Sequence, residues 1–337
     1  MKKIFTLLLS GLLIYEAINV FIITTHFGKD KTSFEYKNQG LSHLADSLVA
    51  KKIILDKPSF IVLAKILNVE DRIKPGKFLV TKNTSLLSLI RMLRNNKQAT
   101  VNLVINKIRT RAELAKFIGN NLSSDSLTAA TFLNSNDSLA PYGVDTTSLL
   151  TLFIPNTYTM YWTTSLPGLM QKMKSQKTTF WNAKNRIEKA KQKGMTPNEV
   201  YILASIVDEE TNYDSDKSLI ASVYQNRLNQ NMLLQACPTI KFAMQDFTLT
   251  RIYDKYLTNP SPYNTYKFKG LPPGPICTPS PKTIDLVLDA PKTNYLYFVA
   301  KSDFKGYHHF SATYEEHSKF AKEYQQKLDE YQQRKKK

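Results

Sequence analysis

The chain has 337 residues, 42% hydrophobic and 22% charged, which suits one large or two ordinary folded domains and excludes a chain disordered throughout. Its 46 lysines and arginines against 28 acids leave a net charge of +18, which points to an anionic partner or surface: nucleic acid, anionic lipid or an acidic polymer. Cys237 and Cys277 are too few for a disulfide scaffold or a cysteine zinc site; one bridge and two unpaired thiols both remain open.

Lys2 and Lys3 precede a mostly apolar run from Ile4 to about Thr25. At 1.5 Å per residue such a run crosses a hydrocarbon core of about 30 Å. Glu16 and Asn19 interrupt it, but no short apolar core followed by an A-x-A site is present. The expectation is an uncleaved single-pass anchor over residues 1–25, with 26–337 outside the cytoplasm. Lys29, Lys31 and Lys37 beyond the span do not oppose this, because long domains translocate largely regardless of such charges.

Residues 26–105 read as a small mixed module. Helices are expected at Leu41–Ala50, at Phe60–Leu67 after the Lys57-Pro58-Ser59 start, and at Ser85–Asn95 capped by Thr84 or Ser85. Pro75-Gly76 turns the chain into a strand at Lys77–Thr81, and Val101–Ile105 is a second strand. Residues 106–152 form a helical connector with polar loops at Ser123–Asp125 and Asn134–Asp137. Residues 153–330 open on the aromatic stretch Phe153–Trp162, followed by one basic helix, about Leu169–Lys193, whose lysines form a solvated face. A basic tail occupies 331–337. The fold class is α+β.

Thr196-Pro197-Asn198-Glu199 is a capping box that opens a helix running to Thr211. At about 100° per residue, Val200, Leu203, Ala204 and Val207 share one side. Ser205 and Glu209 fall opposite, Asp208 on one flank, and Glu210 at the apolar edge between Leu203 and Ile206. Glu209 then reads as a solvated surface acid. Desolvation should raise the pKa of Glu210, and a carboxylic acid protonated near neutrality is what glycosidic cleavage needs. A helix-end salt bridge is the alternative for Glu210 on this ground alone.

Polar segments cluster downstream: Tyr224–Leu228, Leu234–Thr239, Tyr263-Asn264-Thr265-Tyr266 and the turn-rich Gly270–Ile276. Tyr rings stack on sugar faces and amides bind hydroxyl pairs, so Asn226, Gln235, Tyr263, Asn264 and Tyr266 are candidate sugar-binding residues. Tyr295–Ala300 reads as a buried strand. His308 is either a cleft residue or a structural histidine. The histidines lack HExxH or CxxC spacing, so neither a metal nor a cofactor is expected.

Phe153-x-Pro-x-Thr-Tyr158, Leu203–Thr211, Asn226-Arg227-Leu228, Leu234-Gln235…Pro238-Thr239, Tyr263–Tyr266, Gly270–Ile276 and His308…His317 occur together and in this order. As a set they resemble the YceG/MltG family of endolytic murein transglycosylases, densely from about 153 to 325 and weakly from about 30 to 150. The resemblance implies an N-terminal membrane helix, a LysM-like module and an α+β catalytic domain. It implies cleavage of the β-1,4 bond between N-acetylmuramic acid and N-acetylglucosamine, leaving 1,6-anhydro-muramyl ends and terminating nascent strands. The family's essential glutamate, in an E-K-E-T motif, falls on Glu210. Its first acid is the shorter Asp208 here, which weakens a helper role. Cys237 stands where the family often has Asp, and Asn106-Lys107 departs from the usual start of its segment. The implied location is the bacterial cytoplasmic membrane, with peptidoglycan strands as substrate and wall synthases as partners.

The alternatives are a non-catalytic wall-binding anchor and a lysozyme-type hydrolase. A nucleic-acid binder fits the charge but not the apolar N-terminus, and no RNP, zinc-finger or helix-turn-helix pattern is present. A thiol peptidase using Cys237 or Cys277 with His308 or His317 lacks any local signature.

Overall fold

The computed structural model describes Gly11, residues 27–249 and residues 251–335. The expected membrane run, Gly11 apart, lies outside the described residues. Among the described residues no helix is long and apolar enough to cross a membrane. The chain divides into two compact units: residues 1–103 with 121–123 and 159–165, and residues 104–120, 124–158 and 166–337.

In the first unit, β1 (Lys31–Tyr36) pairs antiparallel with β2 (Gly76–Thr81), Phe34 opposite Phe78. Helices α1 (Leu41–Ala50) and α2 (Lys57–Ile66) lie between the strands in sequence, and α3 (Leu86–Arg94) follows. Asp56 caps α2 by accepting the Ser59 N–H at 2.7 Å, with Pro58 in the first turn. Ser85 caps α3. Phe34 and Phe78 stack at 5.4 Å and carry the core together with Leu48, Phe60 and Ile90. Strand β1 is not visible in the sequence, because KTSFEY offers only Phe34 and Tyr36 as inward apolar residues.

Strands β3 (Thr100–Ile105) and β4 (Asn156–Tyr161) form a second two-stranded sheet. The second unit contains α4 (Arg111–Asn121, all but its last residue), α5 (Ser126–Leu133) and α6 (Asn136–Leu139). Where one basic helix is expected there are two, α7 (Leu166–Asn182) and α8 (Arg186–Gln192). Lys184 and Asn185 take φ of 57° and 56° in the break. The turn buries Arg186, which lies 3.8 Å over the Phe180 ring, donates to the Phe180 carbonyl and holds Asp285 at 2.6 Å. The lysines do not all form a solvated face either. Lys177 is tied to Thr151 and Asn198, and burial pushes its ammonium down to about 8.

α9 (Pro197–Glu210) sits in the centre of this unit, packed by α10 (Asp214–Asn229), α11 (Cys237–Met244) and α13 (Pro281–Leu288). α12 is the short turn Asp254–Leu257, and β5 (Tyr297–Ala300) pairs antiparallel with β6 (His308–Ser311) before α14 (Tyr314–Lys335). β5 is half-buried rather than buried. The capping box is formed in both directions: Thr196 accepts the Glu199 N–H at 3.2 Å, and Glu199 accepts the Thr196 N–H at 2.7 Å.

α9 departs from the one-sided helix that its sequence suggests, because every side chain from Val200 to Asp208 is buried. Ser205, expected to face water, is fully covered. The Ile276 N–H donates to its hydroxyl at 3.0 Å, so the 270–276 loop closes the side opposite the apolar stripe. Beneath the helix the Tyr201 hydroxyl donates to the carbonyls of Leu150 and Phe153, each at 2.9 Å.

Candidate active site

α9 ends in Asp208-Glu209-Glu210, and the three carboxylates meet three different environments. Asp208 is buried. Its Oδ1 accepts from the Lys217 ammonium at 2.7 Å and from the Thr283 hydroxyl, and Lys107 lies 3.1 Å from its Oδ2. Burial alone would raise this carboxyl. The Lys217 and Thr283 hydrogen bonds and the two lysine charges outweigh it and hold the carboxyl below its ordinary range. Lys107 also donates to the Asp208 backbone carbonyl at 3.2 Å, which fixes the last turn of the helix.

Glu209 is not a free surface acid. Lys107 and Arg109 both stand 3.1 Å from its carboxylate. The segment 107–109, a hundred positions upstream, covers what the helix pattern left open to water.

Glu210 has a different surrounding. The Tyr224 hydroxyl donates to its Oε1 at 2.6 Å. Burial pushes the carboxyl up to about 7; the Tyr224 hydrogen bond and the Lys241 charge act against this, and the Glu209 charge adds to it. The result is a group that is both acid and base near neutrality. Tyr224 is itself buried and meets the Phe298 ring edge-on at 5.7 Å.

The remaining candidates divide by what holds them. Tyr266 and Cys237 lie beside Glu210, hydroxyl and thiol 3.1 Å apart; burial raises both, and the Glu210 charge adds to each. Gln235 is exposed, in a left-handed backbone conformation (φ 52°), and its Oε1 accepts from Arg227 at 3.3 Å. Arg227 in turn donates to the Leu234 and Leu296 carbonyls, which ties this loop to the start of β5.

Asn226 uses its amide nitrogen on the carbonyls of Thr293 and Tyr295, both at 2.9 Å. Asn264 is fully buried, donates to the Leu257 and Asn259 carbonyls and accepts the Tyr266 N–H, so it shapes the loop that presents Tyr266. Tyr263 is half-buried, its ring 4.6 Å from that of Phe242. His308 is anchored to Asp216, which accepts both its backbone N–H at 2.8 Å and its Nδ1 at 2.9 Å, and its ring meets Phe298 edge-on at 5.5 Å. Both cysteines are free, Cys237 exposed and Cys277 buried.

Two residues that face Glu210 carried no earlier assignment. Tyr224 lies 14 positions away, and nothing in the sequence pairs it with Glu210. Lys241 follows Cys237 by four residues, which places both on one face of α11, and that spacing was available as a signal.

The sequence model of the YceG-like family matches residues 36–323. An endolytic murein transglycosylase of Bacillus subtilis (strain 168) is 36% identical over 162 residues, covering 48% of this chain and 43% of that protein. The endolytic murein transglycosylase of Streptococcus pneumoniae serotype 2 is 35% identical over 150 residues, covering 43% of this chain and 27% of that protein. The matched stretch thus spans less than half the length of either relative. The crystal structure of a yceG-like protein from Listeria monocytogenes aligns with a TM-score of 0.56 at 27% identity, over 87% of this chain and 99% of that one.

Proposed function

Because the chain belongs to the YceG-like family, we propose that it is a lytic transglycosylase of peptidoglycan, with Glu210 as its acid–base catalyst. One observation carries the reading: the Glu210 carboxyl is half-buried, poised at about 7, and held through Oε1 by Tyr224. That hydrogen bond leaves Oε2 as the atom offered to substrate.

Glu210 first gives its proton to the glycosidic oxygen as the bond from muramyl C1 to that oxygen breaks. The carboxylate then takes the proton of the same sugar's C6 hydroxyl as O6 bonds to C1. A 1,6-anhydro ring forms, no water is consumed, and Glu210 ends protonated as it began. A hydrolase of the usual kind needs a second working carboxylate. The adjacent Asp208 and Glu209 are committed to Lys107, Arg109 and Lys217, which favours the single-acid route. Tyr266, beside Glu210, and the exposed Gln235 are the sugar-binding candidates that this reading favours, while Asn226, Asn264 and Asp208 act through the segments they hold.

The same reading extends to a membrane-anchored enzyme with its catalytic domain outside the cytoplasm, a LysM-like module that grips glycan, and the termination of nascent strands beside wall synthases. The family membership and the basic, apolar-led sequence support it.

The test is digestion of purified peptidoglycan by the full chain and by its Glu210→Gln form, with product ends identified by mass. The parent should give anhydro-muramyl ends and the variant at least a hundredfold fewer. Reducing ends, one water heavier, would make the protein a hydrolase, and an active variant would remove Glu210 from the chemistry.

A further inference from the structure

A groove of about 410 Å³ in the second unit is walled by Arg109, Arg111, Thr147, Phe242 and Tyr263. It shares Arg109 and Phe242 with a recess of about 40 Å³ whose further walls include Glu209 and Lys241. The two form one run that leads toward the catalytic carboxyl, since Glu209 is its chain neighbour and the Lys241 charge acts on it.

This run carries more positive charge than its own acids neutralise. Arg109 pairs with Glu209, yet its buried Nε–H has no hydrogen-bond partner. Among the described residues the half-buried Lys241 forms no side-chain hydrogen bond or ion pair. Arg111 donates to the Asn134 side chain at 2.9 Å and the Thr146 carbonyl at 2.7 Å, neither of which cancels its charge. Asp145, held ionised at about 2 by hydrogen bonds from Ser148 and Thr147, also acts on Tyr263 and offsets one of these charges, so Arg109, Arg111 and Lys241 stand against Glu209 and Asp145.

Such a lining does not match the hydroxyls and acetamides of the sugar rings, which are neutral, and where a peptide is attached the muramyl lactyl carboxyl is an uncharged amide. In a wall strand the negative charge sits on the carboxylates of the peptide that hangs from muramic acid. Phe242 and Tyr263 supply an apolar wall of the kind aliphatic peptide side chains need. Gly274 makes that wall possible: a Cβ there would lie 2.2 Å from the Thr147 carbonyl oxygen and 2.9 Å from the Tyr263 hydroxyl.

We propose that this groove is a subsite for the acidic peptide substituent of the glycan, with Arg109, Arg111 and Lys241 recognising its carboxylates. The proposal rests on the peptidoglycan reading above and deepens it, since it makes the enzyme read the carboxylates of the stem as well as the sugars.

Isothermal titration of the full chain carrying Glu210→Gln tests it. The probes are a wall disaccharide with a tripeptide stem, the same molecule with its carboxylates methylamidated, and the peptide-free disaccharide with its lactyl carboxyl methylamidated. The acidic probe should bind roughly tenfold tighter than either neutralised form. Lys241→Met and Arg111→Ala, each added to that background, should shrink the ratio toward one, and Arg111→Lys should keep part of it. If Arg111→Ala fails to fold, Lys241→Met and the amidated probe still decide, because the Lys241 ammonium holds no part of the fold together. Equal affinity for acidic and amidated probes, or a ratio that Lys241→Met leaves intact, overturns the subsite. Selective binding together with a parent chain, Glu210 intact, that yields no anhydro ends would leave the subsite standing and remove the transglycosylase reading. Anhydro ends formed equally fast from amidated strands would do the reverse.

Discussion

At the scale of the residue, Glu210 is defined by the cost of its own charge. Its carboxyl stands at about 7 against an ordinary 4.5, so the protonated form that the proposed mechanism needs is half-populated at neutrality. Cleavage at saturating strand concentration should therefore decline as pH rises through about 7, and a rate profile between about pH 5 and 9 checks it. Tyr224→Phe removes the hydrogen bond that favours the carboxylate, so the decline should move to higher pH while the rate falls. A decline that stays in place would separate Tyr224 from the titration. The same shift has a thermodynamic sign. A raised pKa in the folded chain stabilises fully below about pH 4.5, and that contribution is lost as pH passes through about 7. Glu210→Gln should thus unfold later than the parent at about pH 8, by on the order of 1–3 kcal/mol, with the gap closing near pH 4. Urea unfolding at the two pH values measures it. The position of Glu210 at the apolar edge was legible in the sequence. The partners of Glu209 were not, because Lys107 and Arg109 lie about a hundred residues upstream and leave no local trace.

At the scale of the element, the final turn of α9 is held from several sides. Asp208 is clamped between Lys217, Thr283 and Lys107, drawn from three separate stretches of chain. Asp208→Ala would leave Lys217 buried without its partner and should cost about 3–5 kcal/mol in urea unfolding. It should also lower kcat more than it raises KM, since the loss falls on where Glu210 is held. A variant of unchanged stability would show that the clamp is ornamental. The start of α9 was readable down to the reciprocal bonds of Thr196 and Glu199. Its sides were not, since helical periodicity reports burial only when one face meets water, and Ser205 is sealed by Ile276. The helices of the first unit were placed within about three residues from periodicity, caps and a proline. The break between α7 and α8 leaves no local signal that sets it apart, and the Arg186 that it buries is held by Asp285, 99 positions on.

At the scale of the whole molecule, the net charge of +18 has to find an anionic surface or be screened. Adsorption of the Glu210→Gln chain to purified cell walls should weaken steadily from about 0.1 M to about 1 M salt, as the screening length falls from about 10 Å to about 3 Å. Sedimentation with insoluble wall gives the bound fraction, and salt-independent retention would assign the grip to neutral contacts instead. The wrapping of α9 also sets an order of assembly. Its covers come from Lys107 on one side and from Ile276 and Thr283 on the other, so the catalytic turn closes only once both ends of a 170-residue span are present together. Contacts so distant in sequence form late in folding. A chain still being made therefore carries Glu210 on an unsupported helix end, with its carboxyl in water and its pKa unshifted. The acid–base arrangement proposed for Glu210 is thus absent until the chain has grown past Thr283.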